Sequence, residues 1–559
     1  MRSEPRWILP PAVDPPLLPG YPRLVAEILH RRGIQTPDAF LRPRLQDLRD
    51  PFLLRGLDKA VARLLAAVDK GERVTLYGDY DVDGVSSLAL LRSGLAAYGV
   101  QASVTLPHRM EEGYGLSEDG LARCLEETNP SLVVAVDCGT TSSHEALWLA
   151  ERGVDLIVLD HHEAAPEGMP ACAAIVNPKV SGEQPYLCSA GVVFKVIHGL
   201  LKTRPLDRSV FDLKAHLDLV ALATVADIVP LVDENRLLVR HGLAELARTN
   251  RPGLVALKKL AGLNGKMVAS DIGFRLGPRL NAAGRLDTAR HAFDLLAAAD
   301  ETTADELAGL LDDHNRERQQ LEQEVFQQAL AQAEILGDVP AFVLSGDSWH
   351  PGVVGIVASR IARHFHRPAF VIGFDDNRMG KGSARSIAGI SLTNIIHACR
   401  DRLVKGGGHD MAAGITIRHE EVEGFREAVT AHVAAIVDPS VFHPVIAPDA
   451  VVRLEELNDA LLDAWKWLSP FGQGFGEPLL VVRGVEPSNP PRVLKEKHYK
   501  IPVRQGRGFC DAIWFGGATR GPLPAPPWDV VFHLEANEWN GRRSPQMRVS
   551  ALRSSDPNP

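Results

Sequence analysis

The 559-residue sequence predicts an α/β protein with a parallel-sheet domain, a second α/β lobe joined to it by a long helix, and a C-terminal OB-like β-barrel. Three observations predict this fold class. Short apolar runs alternate with helical stretches from about residue 50 to 235 and again after residue 340, as in parallel sheets. Residues 310–336 contain neither Gly nor Pro, which favours one helix. Short strands separated by turns follow residue 450.

These patterns divide the chain into five predicted segments. They are an N-terminal extension at 1–50, an α/β domain at 51–260, a connector at 261–336, a second α/β domain at 337–440 and the OB-like domain at 450–559. The connector includes the long helix, predicted over residues 310–336 and about 40 Å in length. In the first α/β domain we expect buried strands in RVTLYGD, SLVVAVDCG, VDLIVLDHH and HLDLVALATVADIVPL.

The charge distribution predicts a local, rather than a global, affinity for polyanions. The net charge of −9 argues against nonspecific nucleic-acid binding by the whole surface. Residues 491–550 differ, because they contain ten Lys or Arg and five Asp or Glu. Such an excess is typical of a polyanion-binding module, and a merely charged β-domain is the alternative.

Other features of the composition exclude several classes of protein. No apolar run approaches the roughly 20 residues that span a bilayer, and no charged-then-apolar leader begins the sequence. We therefore expect a cytoplasmic protein with no membrane partner. The six cysteines are scattered and never form C-x-x-C, which argues against a disulfide framework and against a zinc knuckle.

The stretch RVTLYGDYDVDGVSS places three carboxylates at alternate positions after an apolar strand: Asp79, Asp81 and Asp83. Carboxylates this close repel one another unless cations neutralise them. An EF-hand loop beginning at Asp79 would require Glu at its twelfth position and a preceding helix, but that position is Leu90 and a strand precedes. The stretch therefore predicts a different kind of cation site, with Gly84 allowing a tight turn into the next helix.

Acidic residues also end the other expected strands. Asp137 follows SLVVAV, Asp160 with His161 and His162 follows VDLIVL, and Asp227 ends LVALATVA. Because the carboxyl ends of parallel strands line one crevice, these side chains should meet. A helix cap or a turn explains any single Asp, but not all four elements together. Carboxylate and imidazole ligands predict Mn²⁺ or Mg²⁺, and two such ions could activate a water for attack on phosphorus.

The motifs GDYDVDG, VDCG, LDHHE and TVADIVPL, in this order, resemble those of the DHH phosphoesterases. Further motifs, over roughly residues 50–550, are similar to those of the RecJ exonucleases within that family: PHRMEEGYGLS, LGPRLNAAGRLD, WHPGVVGIVASRI, GSARSI, GGGHDMAAG and PFGQGFGEPL. The resemblance implies a DHH catalytic domain at 51–260 and a DHH-associated domain at 337–440. It also implies a 5′ to 3′ exonuclease specific for single-stranded DNA, which releases 5′-mononucleotides and acts in DNA repair and recombination.

The resemblance also implies roles for the acidic and histidine residues. Two Mn²⁺ or Mg²⁺ ions would be held, with Asp137 as the bridge, by Asp81, Asp83, Asp137, His161 and Asp227. His162 would face the scissile phosphate or the leaving oxygen, and Asp160 would orient the imidazoles. Asp79 is a further candidate ligand whose exact role is open. Small DHH pyrophosphatases have a histidine four residues before the first ligand, whereas this chain has Tyr77.

The same resemblance suggests residues that bind the strand. Candidates for the 5′-phosphate and adjacent DNA are Arg109, Arg279, Ser383, Arg385 and His409, since a guanidinium grips a phosphate at two points. Without the resemblance each Arg would be a surface salt-bridge residue. Candidates in the C-terminal domain are Lys497, Tyr499, Trp514, Trp539, Arg542 and Arg543, with core packing as the alternative for the aromatic residues.

Two other functions remain open at this point. One is a DHH phosphodiesterase that acts on cyclic dinucleotides or short RNA, although such enzymes usually lack the extra barrel. The other is a noncatalytic DNA-binding scaffold, although a scaffold needs no complete metal set. Expected partners are single-stranded DNA with a 5′ end and, as candidates for delivering it, a helicase and a single-strand-binding protein. We expect a monomer.

Overall fold

The computed structural model describes residues 5–107, 115–164, 168–286, 289–539 and 541–555. It confirms the predicted fold class, with a parallel sheet, a long helix and a C-terminal β-barrel. The chain divides into two compact units. The first unit is formed chiefly by Leu310–Ile446, and the second chiefly by Leu9–Gly284 and Ala447–Pro559. Within the described ranges, no helix combines the length and the apolar character that crossing a membrane requires.

The strands are numbered in chain order. They are β1 (Arg6–Trp7), β2 (Val74–Gly78), β3 (Ser103–Thr105), β4 (Leu132–Val136), β5 (Asp155–Leu159), β6 (Ala174–Val176), β7 (Phe342–Asp347), β8 (Ala369–Phe374), β9 (Met379–Arg385), β10 (Lys405–Gly408), β11 (Ala412–Arg418), β12 (Val445–Ile446), β13 (Ala450–Val452), β14 (Leu480–Pro487), β15 (Arg492–Leu494), β16 (His498–Gln505), β17 (Gly508–Trp514), β18 (Trp528–Trp539) and β19 (Arg542–Ser554).

The α-helices are numbered in the same way. They are α1 (Arg23–Arg31), α2 (Pro37–Leu41), α3 (Leu57–Lys70), α4 (Val82–Ala97), α5 (Glu118–Thr128), α6 (Ser143–Glu151), α7 (Pro178–Ser181), α8 (Ser189–Thr203), α9 (Leu217–Ala226), α10 (Asp233–Arg248), α11 (Pro252–Leu260), α12 (Ala269–Asp271), α13 (Gly277–Leu286), α14 (Arg290–Ala297), α15 (Glu301–Leu336), α16 (Pro351–Phe365), α17 (Leu392–Ala398), α18 (Val422–Ile436) and α19 (Asp459–Trp465).

A five-stranded parallel sheet, in the order β3-β2-β4-β5-β6, forms the centre of the second unit. Every residue of β2 and β4 is buried, as in sheets covered by helices on both faces. Because the strands are parallel, their carboxyl ends lie along one edge. Asp79, Asp137 and Asp160 directly follow β2, β4 and β5 at that edge.

The segment before Asp227 differs from the prediction. We expected a strand there, but residues Leu217–Ala226 form helix α9. Leu217 to Thr224 are all buried, so the segment is covered on every side and its mostly apolar sequence shows neither helical nor strand periodicity. A short apolar run without periodicity does not distinguish a buried strand from a buried helix. Asp227 therefore reaches the sheet edge from the end of a helix.

The long helix exists but begins earlier than predicted. Helix α15 has 36 residues, from Glu301 to Leu336, rather than starting at residue 310. Asp300 caps its start by accepting a 2.9 Å hydrogen bond from the Thr303 amide. Gly309 lies within the helix, where glycine costs about 1 kcal/mol relative to alanine but does not end the helix.

The first unit contains a second sheet in the order β10-β11-β9-β8-β7. Strands β7 and β8 are parallel, and the remaining pairs are antiparallel. The short strands β1 and β12 form a separate parallel pair. The glycine-rich sequence at 405–408 forms strand β10, which lies at the edge of this sheet.

The C-terminal strands close into a barrel. Strands β14, β18, β19, β17 and β16 pair in that order, and β16 pairs with β14 to complete the ring. Five strands closed in this way are typical of OB-folds. The predicted N-terminal extension is packed against this domain, because Leu24, Ile28 and Leu41 share a buried core with barrel residues such as Val482 and Phe532.

Candidate metal centre

The edge of the parallel sheet brings the predicted acidic and histidine residues together. These residues form three overlapping groups, each of which could hold a metal ion. Each residue of a group offers one potential ligand atom, and these atoms all lie within 4.8 Å of one another. The groups are Asp79, Asp81, Asp137; Asp83, His161, Asp227; and Asp137, His161, His162. Asp137 and His161 each belong to two of them. The structure therefore assembles every predicted metal ligand, and their binding of metal stays a prediction.

The loop after β2 holds its three aspartates in a tight turn. Asp81 caps helix α4 by accepting hydrogen bonds from the amides of Asp83, at 2.9 Å, and Gly84, at 3.1 Å. A Cβ atom at Gly84 would clash with the Asp79 carbonyl oxygen, so only glycine fits there. The Val82 amide donates a 3.2 Å hydrogen bond to Asn281 on α13, which ties the loop to that helix.

The start of helix α8 fixes two of the carboxylates. The amides of Ser189 and Ala190 donate hydrogen bonds of 2.7 and 2.9 Å to Asp83. The Ser189 hydroxyl donates a 2.9 Å hydrogen bond to Asp137. Asp137 also has a φ of +62°, a left-handed conformation that costs about 1–2 kcal/mol and is concentrated at functional sites. Sequence analysis missed Ser189, and its position at the start of an apolar helix is the only signal for it.

His161 lies at the centre of the cluster. Its Nε2 atom is 3.4 Å from Asp137 Oδ1, 3.5 Å from Asp227 Oδ2 and 3.7 Å from Asp83 Oδ2. Within the part of the chain that the structure describes, neither ring nitrogen of His161 nor Oδ2 of Asp227 has a hydrogen-bond partner, although all three atoms are buried. Buried polar atoms without partners are costly. Oxygen and imidazole ligands in this arrangement fit a divalent cation such as Mn²⁺ or Mg²⁺.

Burial also changes the protonation of the cluster. It raises the pKa of Asp83 to about 6 and that of Asp227 to about 9, and neighbouring carboxylates add to both shifts. Burial and the adjacent Asp83 raise the pKa of Asp137 well above its ordinary value. Burial lowers the pKa of His161 to about 3, so its imidazole is neutral and can donate a lone pair. Without metal, protons therefore neutralise part of the charge, and a cation would displace them.

Asp160 holds both histidines, His161 and His162, in position. It accepts hydrogen bonds from the amides of Thr140, at 3.0 Å, and His161, at 2.7 Å, and lies 2.7 Å from Nδ1 of His162. Burial of Asp160 opposes ionisation, yet the hydrogen bonds from His162 and Thr140 hold its pKa below the ordinary value. Burial alone would lower the pKa of His162, but the hydrogen bond and the negative charge of Asp160 outweigh this effect and raise the pKa. The Asn177 amide group, absent from the sequence prediction, donates to the His162 carbonyl and to Thr140.

Known proteins match this chain over nearly its whole length. Three family models match successive segments: the DHH family N-terminal domain at 73–224, the DHHA1 domain at 338–435 and the RecJ OB domain at 448–551. The single-stranded-DNA-specific exonuclease RecJ of Bacillus subtilis is 38% identical over 538 residues, which cover 94% of this chain and 67% of that protein. RecJ of Haemophilus influenzae is 34% identical over 563 residues, which cover 95% and 96%. The chain belongs to the RecJ family.

Solved RecJ structures have the same fold. RecJ of Thermus thermophilus in complex with Mn²⁺ matches with a TM-score of 0.84 at 30% identity, covering 99% of this chain and 80% of that one. An exonuclease RecJ bound to manganese matches with a TM-score of 0.61 at 37% identity, covering 69% of this chain and 96% of that one. The likeness therefore extends across both units of the RecJ-family chain.

The candidate phosphate-binding residues are distributed between the two units. Arg279 lies on α13 of the second unit and donates a 2.7 Å hydrogen bond to the Arg275 carbonyl. Ser383 and Arg385 lie on β9 of the first unit, where burial lowers the pKa of Arg385. His409, in the same unit, is exposed at the turn after β10. Arg109, which the RecJ resemblance also suggested, lies outside the described residues.

The structure of the barrel contradicts part of the prediction about which aromatic residues bind the strand. Trp514 is only 8% exposed and packs in the barrel core, so its selection as a base-stacking residue was wrong. Tyr499 is half-buried against the same core. The side chain of Trp539 lies outside the described part of the structure. Two aromatic residues that sequence analysis did not select, Phe509 and Phe515, are more than half exposed.

The basic candidates of the barrel differ from one another. Lys497 and Arg542 are exposed. Arg543 instead lies 2.9 Å from Asp463 and donates a 3.0 Å hydrogen bond to the Leu462 carbonyl. The charge of Arg543 is therefore partly neutralised within the protein, whereas the other two cations face solvent.

Proposed function

We propose that this RecJ-family protein is a metal-dependent exonuclease that degrades single-stranded DNA by hydrolysing phosphodiester bonds. The observation that carries this proposal is the buried His161 ring, whose Nε2 atom lies within 3.7 Å of three carboxylates. Neither of its nitrogens has a hydrogen-bond partner among the described residues. A structural histidine would be expected to make a hydrogen bond, whereas a metal ligand keeps its nitrogen free for the ion.

Two divalent cations, Mn²⁺ or Mg²⁺, fit the three groups of ligands. Asp79, Asp81 and Asp137 would hold one ion, and Asp83, His161 and Asp227 would hold the other. Asp137 also lies beside the second group, because its Oδ1 atom is 3.4 Å from Nε2 of His161. When bound, such a pair of ions acidifies a water and stabilises the leaving oxygen of an in-line displacement. Oxygen-rich sites suit these hard cations better than softer metals.

The protein groups around the ions orient the reactants. The Ser189 and Ala190 amides hold Asp83, and the Ser189 hydroxyl holds Asp137, so both carboxylates keep fixed positions. The His162 side chain is 41% exposed, compared with 7% for His161. It can therefore contact the scissile phosphate or the leaving oxygen, while Asp160 supports its protonated form.

Polarity and biological role are further parts of the proposal. We assign 5′ to 3′ degradation with release of 5′-mononucleotides. Arg279 in the second unit is one candidate for binding a terminal 5′-phosphate, and Ser383, Arg385 and His409 in the first unit are the others. The exposed cations of the barrel support a strand-binding role for that domain. A monomer acting in cytoplasmic DNA repair and recombination, on strands supplied by a helicase and a single-strand-binding protein, completes the proposal.

The experiment that tests this function follows end-labelled DNA in the presence of Mn²⁺. Single strands labelled at the 5′ or the 3′ end, blunt duplex and a cyclic dinucleotide are the substrates. We expect immediate release of a labelled mononucleotide from the 5′-labelled strand, stepwise shortening of the 3′-labelled strand and little attack on duplex. The variant Asp137→Asn should abolish cleavage and still bind the strand. Hydrolysis confined to the cyclic dinucleotide, or no hydrolysis, would contradict the proposal.

A further inference from the structure

Lys179 places a positive charge beside the metal centre without pairing with its carboxylates. Within the described ranges, its one ion pair is with Glu163, at 3.4 Å from Nζ to Oε1. Burial is the main cause of the shifted pKa values of His161 and Asp227, and the positive charge of Lys179 lowers the pKa of both. Because such interactions fade over about 8 Å at physiological salt, the ammonium group lies close to both residues.

The backbone of Lys179 is tied to the histidine pair by Asn177. The Oδ1 atom of Asn177 accepts a 2.9 Å hydrogen bond from the Lys179 amide at the start of α7. The Nδ2 atom of Asn177 donates hydrogen bonds of 2.8 Å to the His162 carbonyl and to the Thr140 hydroxyl. Asn177 itself is buried. The lysine side chain therefore starts from a fixed position next to His162.

The ion pair with Glu163 holds the ammonium group weakly. The side chain of Glu163 is 67% exposed, and that of Lys179 is 32% exposed. Ion pairs with an exposed partner add little to stability. The long and flexible lysine side chain can therefore exchange Glu163 for another anion at low cost.

The charge of the metal centre indicates which anion this would be. The ligand groups contain five carboxylates, those of Asp79, Asp81, Asp83, Asp137 and Asp227. Two divalent cations would balance four of these negative charges, so the ionised centre would keep one. A phosphodiester of the strand adds a further negative charge at short range. A cation at the rim of the centre would offset this repulsion.

We propose that Lys179 binds a non-bridging phosphate oxygen of the single strand at the metal centre, and that Glu163 holds the ammonium group while no strand is present. This inference rests on the proposed exonuclease function. Lysine binds phosphate as a point charge, so the contact would be independent of base sequence. Strand binding would exchange one anionic partner of the ammonium group for another.

The first test compares the two members of the ion pair in KM and kcat on a single strand with Mn²⁺. Lys179→Met removes the charge, Lys179→Arg keeps it, and Glu163→Gln releases the ammonium group. We expect Lys179→Met to raise KM by about tenfold or more, and Lys179→Arg to recover part of this loss. Glu163→Gln should have a KM equal to or below that of wild type. Equal losses in Lys179→Met and Glu163→Gln would show an ion pair that serves only the structure, and would overturn the inference.

The second test locates the contact on the strand. Single methylphosphonate linkages, which are uncharged, are placed at successive positions from the 5′ end. Each linkage that binds a cation should raise the KM of wild type, and at one of these positions the increase should be smaller for Lys179→Met. Lys202→Met is the matched control, because Lys202 pairs with Asp50 at 2.9 Å near the far end of α8. It should keep the wild-type pattern.

The outcomes separate this inference from the proposed function. Hydrolysis of no strand by wild type would overturn the proposed function itself. Hydrolysis by wild type, with the same KM and the same response to every neutral linkage in Lys179→Met, would overturn only the role of Lys179. Calorimetry gives a further readout, because loss of a nearby positive charge should leave Mn²⁺ affinity equal or higher. Weaker Mn²⁺ binding by Lys179→Met would make the lysine a support of the metal centre and overturn the inference.

Discussion

The hydroxyl of Ser189 donates a 2.9 Å hydrogen bond to Oδ1 of Asp137, from the same helix start whose amides hold Asp83. One turn of helix thus orients two carboxylates of the metal centre. We predict that Ser189→Ala lowers the affinity for Mn²⁺ by about 10- to 100-fold, because groups that orient metal ligands typically contribute this much. Calorimetric titration of the metal-free protein with Mn²⁺ measures the change.

The control for this prediction is a serine in a comparable hydrogen bond elsewhere. Ser93 lies 2.9 Å from Nε2 of His216, on the helix that follows β2. Ser93→Ala removes a hydrogen bond of similar geometry without contacting the cluster, so Mn²⁺ affinity should stay near that of wild type. A similar loss of affinity in both variants would indicate a general loss of stability rather than a role for Ser189.

Removal of the metal should make stability depend on pH above neutrality. Asp227, with its pKa of about 9, keeps its proton in the native metal-free protein but loses it in the unfolded chain above about pH 4. The native state then binds more protons than the unfolded state, so the free energy of unfolding should fall between about pH 7 and pH 9. Guanidinium unfolding in EDTA at both pH values measures this.

Two comparisons isolate the contribution of Asp227. Asp227→Asn has no titrating carboxyl, so its free energy of unfolding in EDTA should fall less steeply over the same interval. Mn²⁺ should also reduce the slope in wild type, because a bound cation keeps the carboxylates ionised in the native state. The same slope in wild type and Asp227→Asn would show that another group is responsible.

The sequence could predict where the carboxylates meet, because this follows from the direction of the strands. Asp79, Asp137 and Asp160 each come directly after an apolar run, and parallel strands bring such positions to one edge. Strand β2 and its neighbours have the composition of fully buried strands, which made the sheet recognisable. Local pattern and global arrangement agree at these positions.

Other features depend on contacts that no local pattern reveals. Ser189 meets Asp137 across 52 positions of the chain, through a helix with no distinctive motif. The residues before Asp227 are mostly apolar and are buried on every side, so periodicity could not identify α9 as a helix. Trp514 lies in a strand, where the same aromatic residue can face the core or the solvent, and only the register decided that it is buried.

Arg236 is the basis of a prediction about the attachment of the barrel. Its buried guanidinium stacks on Phe40 and donates hydrogen bonds to carbonyls of Phe40, Leu468 and Pro470. Arg236→Met would leave buried carbonyl groups unpaired, at about 1–3 kcal/mol each. We expect the free energy of unfolding to fall by about 3 kcal/mol or more, and proteolysis near residue 470 to accelerate.

Arg248→Met provides the matched control for Arg236. The side chain of Arg248 is 64% exposed and forms an ion pair with Glu245 on the same helix, α10. Ion pairs at the surface contribute about 0–1 kcal/mol. The free energy of unfolding of Arg248→Met, and its rate of proteolysis near residue 470, should therefore remain close to those of wild type. If Arg236→Met were as stable as wild type, the Arg236 guanidinium would not be the group that holds the segment before the barrel.

The barrel offers a test of which cations contact the strand. Lys497 and Arg542 form no ion pair with any residue in the described ranges, whereas Arg543 is paired with Asp463. Double substitution of Lys497 and Arg542 by alanine should weaken binding of single-stranded DNA most at low salt. It should also reduce the slope of log K against log salt by about 1 to 1.5, since each phosphate contact on a single strand contributes about 0.7.

Arg543→Ala is the control and should change the slope less, because the charge of Arg543 is already paired with Asp463. Fluorescence anisotropy with labelled strand at several salt concentrations decides between them, and a larger change for Arg543→Ala would place the strand on a different face of the barrel.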